Sequence, residues 1–193
     1  MTAIVYLHGF RSSPASIKAT QLRAYVDALA SPPTLYIPDL EVAPAQAIRN
    51  VVEWVEQNAA ARSLTFIGSS LGGFYATHLA ERLGARAVLI NPAVRPQDDL
   101  RSWLGPQTNL YTGATFEVTP AHLHELRDLA VARITRPQRY FLLVESGDEV
   151  LDYREAIAFY GGAFQYVQGG GDHAFTQFEA QIPAILRFAG VVA

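Results

Sequence analysis

The chain has 193 residues, half of them hydrophobic, with a formal net charge of -3 and no cysteine. This length and composition suit one folded domain with a substantial core and argue against a disordered chain. An acidic balance without any run of Lys and Arg argues against a nucleic-acid surface, and the missing thiols exclude a disulfide framework or a thiolate metal site.

Met1-Thr2-Ala3 leads directly into a strand pattern over residues 3 to 7, with no basic region, apolar core and cleavage site before it. No apolar run approaches the roughly 18 residues of a membrane span. A cytoplasmic protein without membrane insertion is expected. After His8-Gly9-Phe10 come a helical pattern over 15 to 30, a strand over 34 to 38 and a helix over 44 to 60 that opens on Pro44. A strand over 64 to 68, a helix over 71 to 83 and a strand over 87 to 90 follow. The last part alternates strand 140 to 144, helix 152 to 160, strand 164 to 167 and helix 174 to 188. Such alternation predicts a parallel sheet with helices on both faces. Residues 95 to 136 interrupt it, with helical pieces around 97 to 104 and 120 to 134. An elaborated crossover or a small cap would account for them, and the cap is favoured because long insertions in compact folds are often lids.

Residues 68 to 72 read Gly68-Ser69-Ser70-Leu71-Gly72 between a strand and a helix. A nucleophile on such a turn needs small neighbours, so that its hydroxyl stands clear of the sheet edge at the helix N-terminus. Ser70 is the candidate nucleophile. A serine attacks only when a base takes its proton and a third group holds that base. With this elbow the acid and then the histidine follow the serine along the chain. Tyr140-Phe141-Leu142-Leu143-Val144 empties into Glu145-Ser146-Gly147-Asp148, and Asp148, in the Gly-Asp turn, is favoured as the acid over Glu145 and Asp152. Gly169-Gly170-Gly171-Asp172-His173 supplies the candidate base, His173, since glycines let the loop reach back over the sheet edge. The oxyanion of a tetrahedral intermediate needs two preorganised N–H donors. The amides of Leu71, after the nucleophile, and Phe10, after the first strand, are the expected pair. Gly9 allows the close approach and His8 orders the loop.

His8-Gly9-Phe10-Arg11-Ser12-Ser13-Pro14, Gly68 to Thr77, Asn91-Pro92-Ala93, Gly147 to Tyr153 and Gly170-Gly171-Asp172-His173 together resemble the YqiA/YcfP-like small bacterial esterases (UPF0227-type) of the α/β-hydrolase superfamily, over nearly the whole chain. The resemblance implies an α/β-hydrolase fold, a three-layer sandwich with a mostly parallel sheet of about six strands in the order 2-1-3-4-5-6, lacking the superfamily's first two strands. It further implies a serine hydrolase that cleaves carboxylic (acyl) esters through Ser70, His173 and Asp148 and an acyl-enzyme, with no metal and no organic cofactor. An acyl-CoA thioesterase would use the same residues, with Arg11 or Arg95 meeting phosphates. A non-catalytic binding protein of this fold is the remaining alternative, and the intact serine, acid and histidine count against it. The expected partner is a small-molecule ester or thioester, acted on by a monomer or a homodimer.

Arg11, Tyr75, Tyr111 and Val150 are expected to touch substrate, and Phe10, Phe74, Tyr75, Val94 and Phe175 are candidates for an apolar wall. His122 and His124, two apart on a helix, face different ways and do not make a metal pair. His78 reads as a packed or surface residue of the helix after the elbow. The glycines at 68, 72 and 73 fit neither a dinucleotide fingerprint nor a Walker loop.

Overall fold

In the computed structural model, which describes residues 2–58 and 63–191, the apolar runs of the sequence pair as parallel strands. The first half of the chain forms β1 (Thr2–Leu7), α1 (Ile17–Asp27), β2 (Thr34–Tyr36), α2 (Pro44–Gln57), β3 (Ser63–Ser69), α3 (Leu71–Leu83) and β4 (Arg86–Ile90). The second half adds α4 (Pro96–Asp99), β5 (Gly105–Thr108), β6 (Thr115–Val118), α5 (Pro120–Leu129), β7 (Tyr140–Glu145), α6 (Tyr153–Phe159), β8 (Phe164–Gln168) and α7 (Phe178–Phe188). The main sheet runs β2-β1-β3-β4-β7-β8, parallel at every pairing, which is the expected order with the β5–β6 hairpin set aside.

Both faces of the sheet are covered, so its central strands are apolar throughout and their alternation only decides which layer each residue meets. Val5, Leu7, Phe66, Leu89, Leu142 and Val144 pack toward α2, α3, α5 and α6. Ile4, Tyr6, Ile67, Val88, Ile90 and Leu143 pack toward α1 and α7. The chain leaves β1 for β2 on one side and then crosses to β3 on the other. The carboxyl ends of β1 and β3 therefore flank the switch point where open α/β sheets bind ligands.

Helix boundaries depart from the sequence expectation where tertiary contacts intervene. α7 starts at Phe178 rather than 174, because Phe175 adopts φ 53 and is fully buried. α5 stops at Leu129 rather than 134, its terminal carbonyl accepting from His78 Nδ1 at 2.8 Å. The expected end of α2 at residue 60 lies outside the described residues. The largest difference is the antiparallel β5–β6 hairpin, where only helical pieces were expected. Its turn is built by Asn109, whose Oδ1 accepts from the amides of Tyr111 at 2.9 Å and Thr112 at 3.1 Å. Among the described residues no helix is long and apolar enough to cross a membrane.

Candidate active site

Ser70 sits between β3 and α3 at φ 55 and ψ -121, a conformation that costs an L-residue about 1–3 kcal/mol and persists only where its surroundings enforce it. Here its amide donates to Ile90 O at 3.0 Å and its carbonyl accepts from Gly73 N at 2.9 Å and Ala93 N at 3.1 Å. The elbow also needs its flanking glycines. A Cβ on Gly68 would lie 2.1 Å from Gly72 O, and one on Gly72 would lie 2.0 Å from Leu7 O.

The hydroxyl so presented lies 3.0 Å from His173 Nε2, and His173 Nδ1 donates to Asp148 Oδ2 at 2.8 Å. The Asp148 side chain is 2% exposed. Burial pushes its carboxyl up. Hydrogen bonds from His173 and from the amides of Leu151 and Val150, together with electrostatic attraction to the imidazole, outweigh burial and hold it below the ordinary value. An acid kept ionised beside Nδ1 fixes the imidazole with Nε2 free to accept the serine proton.

The loop bearing His173 is held from below by residues to which the sequence reading gave no role in the site. Asn91, 2% exposed at the end of β4, donates through Nδ2 to Asp172 O at 3.0 Å and His173 O at 3.2 Å, and accepts from Glu145 N at 2.9 Å. Glu145, which competed with Asp148 for the acid role, is fully buried and accepts from Asp172 N at 2.8 Å, so it braces the loop instead. Lys18 donates to Ala174 O, and burial lowers its pKa against the opposing pull of Asp172 and Glu145. The only sequence signal for Asn91 was its place in the Asn91-Pro92-Ala93 motif.

The amides of Phe10 and Leu71 donate to no acceptor among the described residues. His8, 5% exposed, donates from Nδ1 to Gly9 O at 3.0 Å and accepts at Nε2 from Leu40 N at 3.2 Å, which orders the loop as expected. The hairpin then clamps the loop's far end. Leu110 N donates to Arg11 O at 2.8 Å, Arg11 Nε to Thr108 O at 2.9 Å and Asn109 Nδ2 to Ser12 O at 2.7 Å. The Phe10 ring meets Trp103 and Phe116 edge-on, at centroid distances of 5.9 and 5.8 Å.

Two cavities border residues 9–12, which line both. One, lined by Leu40, Leu71, Tyr75, Phe116, Leu123 and Leu126, is largely apolar and lies under the hairpin and α5. The other holds Ser70 and His173 with Lys18, Gln21, Tyr111 and Thr176. Arg11 borders both, Tyr75 only the first and Tyr111 only the second. Val150 borders neither. Its amide closes an Asx turn on Asp148 Oδ1 at 2.9 Å, and the residue is 60% exposed. Phe175 borders the Ser70 cavity, whereas Phe74 and Val94 line a separate small cavity with Phe159. Arg95 lies away from both main cavities, paired with Glu155. His122 uses Nδ1 to accept from Thr119 N at 3.3 Å in the capping box of α5. Among the described residues no group of three or more His, Cys, Asp or Glu is arranged to hold a metal ion.

Solved structures share this architecture at low sequence identity. Est1E from Butyrivibrio proteoclasticus is 13% identical with a TM-score of 0.71, over 97% of this chain and 86% of its own. The α/β hydrolase domain-containing protein 10 from mouse is 16% identical with a TM-score of 0.70, over 99% of this chain and 90% of its own. The esterase domain of a Rhodothermus marinus protein is 16% identical with a TM-score of 0.68, over 98% of this chain and 88% of its own. The fold is that of the α/β hydrolases. Residues 3–190 match the family described as Uncharacterised protein family (UPF0227), and the chain belongs to that family.

Proposed function

We propose that this chain is a serine hydrolase that cleaves carboxylic esters through an acyl-enzyme. The observation that carries the reading is the continuous hydrogen-bonded line from Ser70 Oγ through His173 to Asp148, at 3.0 and 2.8 Å, ending on a strained elbow. His173 Nε2 takes the Ser70 proton as Oγ forms a bond to the ester carbonyl carbon. The carbonyl oxygen becomes an oxyanion between the Phe10 and Leu71 amides, a pair of donors in which loss of one typically costs roughly 10²–10³ in rate. The C–O bond to the alcohol then breaks, and the alcohol leaves with the proton from His173. Water attacks the acyl-enzyme with the same histidine as base, releasing the acid and restoring Ser70. The esterase domain from Rhodothermus marinus is among the structures of similar fold, which agrees with the reading.

An oxygen ester is favoured over an acyl-CoA thioester. Among the described residues the Arg and Lys side chains bordering the two cavities are Arg11 and Lys18. Arg11 is spent on Thr108 O and the face of Trp103, and Lys18 on Ala174 O. Residues 95 to 136 act as a cap on a single α/β-hydrolase domain, with the hairpin and α5 roofing the apolar cavity. Hydrolysis of p-nitrophenyl esters by wild type, Ser70→Ala and His173→Ala tests the reading. Both variants should lose activity by about 10³-fold or more while keeping the wild-type circular dichroism. A folded Ser70→Ala variant that hydrolyses at the wild-type rate would refute it. Comparing acyl-CoA with an oxygen ester of the same acid separates the two substrate classes.

A further inference from the structure

We infer that the acyl group of the substrate occupies the apolar cavity under the hairpin and α5, while its alcohol leaves through the second cavity, which shares residues 9–12 and holds Ser70 and His173. The inference rests on the serine-esterase reading above. A tetrahedral intermediate carries four groups on the former carbonyl carbon. Ser70 Oγ is one, and the oxyanion at the Phe10 and Leu71 amides is the second. The acyl carbon and the leaving oxygen must take the two remaining directions. The leaving oxygen has to receive its proton from His173 Nε2. His173 borders the cavity that contains Ser70 and is absent from the border of the apolar one, which Gly9, Phe10 and Leu71 reach from the oxyanion side. The leaving oxygen therefore points into the cavity that holds His173, and the acyl carbon passes the Phe10 and Leu71 amides into the apolar one.

The linings fit that division. Val118, Leu123 and Leu126, at 4%, 7% and 1% exposure, close the apolar cavity with side chains that offer an acyl chain only hydrocarbon contact. Polar side chains of the same lining are engaged within the protein: Arg11 with Thr108 O, Asn109 with Ser12 O and His122 with Thr119 N. The other cavity adds Ser16, Gln21, Tyr111 and Thr176, groups able to hydrogen-bond an alcohol, to the apolar Ile17, Leu110 and Phe175. The substrate class is an ester of an apolar acid.

Chain-length profiles test the assignment. With p-nitrophenyl esters from acetate to hexanoate, kcat/KM should rise roughly fourfold per methylene, the equivalent of about 0.8 kcal/mol for each CH₂ buried. Val118→Trp, which fills the apolar cavity, should lower the hexanoate-to-acetate ratio by roughly tenfold or more. Val42→Trp, at the cavity rim and 42% exposed, should lower it too and serves if the buried substitution prevents folding. Ile17→Trp, in the cavity that holds His173, should leave that ratio at its wild-type value and change the preference among alcohols of one acid. The assignment is overturned if Ile17→Trp lowers the acyl ratio while a folded Val118→Trp or Val42→Trp does not. Labelling by an alkyl fluorophosphonate distinguishes this failure from that of the underlying reading. A Ser70 that is labelled while Ile17 sets the acyl ratio overturns only the orientation. An unlabelled chain with no Ser70-dependent hydrolysis overturns the esterase reading and the orientation with it.

Discussion

The substitution that most directly probes how this fold makes a site is Asn91→Asp. Asn91 adopts φ 39, and aspartate tolerates that left-handed conformation nearly as well, so the change leaves the backbone unstrained and exchanges the amide for a carboxyl buried near Glu145. The retained oxygen can still accept from Glu145 N. What is lost is the donor to Asp172 O and His173 O, replaced by an oxygen that repels both carbonyls. Two hydrogen bonds of about 0.5–1.5 kcal/mol each, carbonyls left without a donor, and a carboxyl buried near that of Glu145 put the cost at about 3 kcal/mol or more. That is a large share of a total stability of about 5–15 kcal/mol, yet compatible with folding. Activity should fall further than stability alone requires, because the displaced carbonyls belong to His173 and its neighbour, and a 1 Å misplacement of a catalytic group costs roughly 10²-fold. Asn91 borders neither of the two main cavities, so KM should change little while kcat falls. Urea unfolding and steady-state hydrolysis of p-nitrophenyl acetate read both quantities. A variant that unfolds within about 0.5 kcal/mol of wild type and turns over at the wild-type kcat would show that the His173 loop is held by something else.

Three further outcomes follow from the geometry. Gly72→Ala should abolish a cooperative urea transition, since its Cβ would lie 2.0 Å from the backbone oxygen of Leu7 and neither partner can rotate away; a normal transition refutes this contact. Ser70→Gly should be more stable than Ser70→Ala by about 1 kcal/mol, because glycine takes φ 55 without strain while alanine does not, and equal urea midpoints would deny that the elbow stores strain. Burial lowers the pKa of His8 from 6.5, against the opposing pulls of the Gly9 carbonyl and Asp39. The unfolded chain then binds a proton that the folded chain resists, so this share of stability is present above 6.5 and lost as pH falls below it. His8→Gln should flatten the fall in urea midpoint between about pH 7.5 and about pH 5.5, a fall to which His78, also lowered by burial, adds its own part; an unchanged slope refutes the role of His8.

The features legible in the sequence were those whose cause is local. A strand buried on both faces must be an apolar run, which is why β3 and β7 stand out, and a serine at positive φ between two crowded turns must be flanked by small residues. Features fixed by distant contacts were not legible. The hairpin strands are four residues each and β5 contains Pro106, so neither length nor alternation distinguishes them from a loop. Phe175 at φ 53 contradicts any local preference for an aromatic residue, and only its complete burial against the α7 side of the sheet explains why α7 starts late. Asn91 reads as an ordinary turn residue until its partners, 54 and 81 or more positions away, are brought to it. Val150, expected to touch substrate, borders neither main cavity, and its amide closes an Asx turn on Asp148 Oδ1.

The same division explains how the hairpin and the oxyanion loop depend on each other. Residues 10–12 carry one of the two expected oxyanion donors, and Arg11 is held at φ 57, a conformation its own sequence does not favour. Hydrogen bonds from Leu110 and Asn109, with Arg11 Nε bonding back to Thr108 O, hold that conformation from the hairpin side. Swinging the hairpin away would forfeit these bonds and the edge-on contacts of Phe10 with Trp103 and Phe116, about 3 kcal/mol or more. A 3 kcal/mol penalty leaves the open form at about 1% or less of the population. Opening would also release the Phe10 amide from its position. On the proposed reading the hairpin would act as a fixed wall, with substrate entering beside it through the cavity that Ser70 borders.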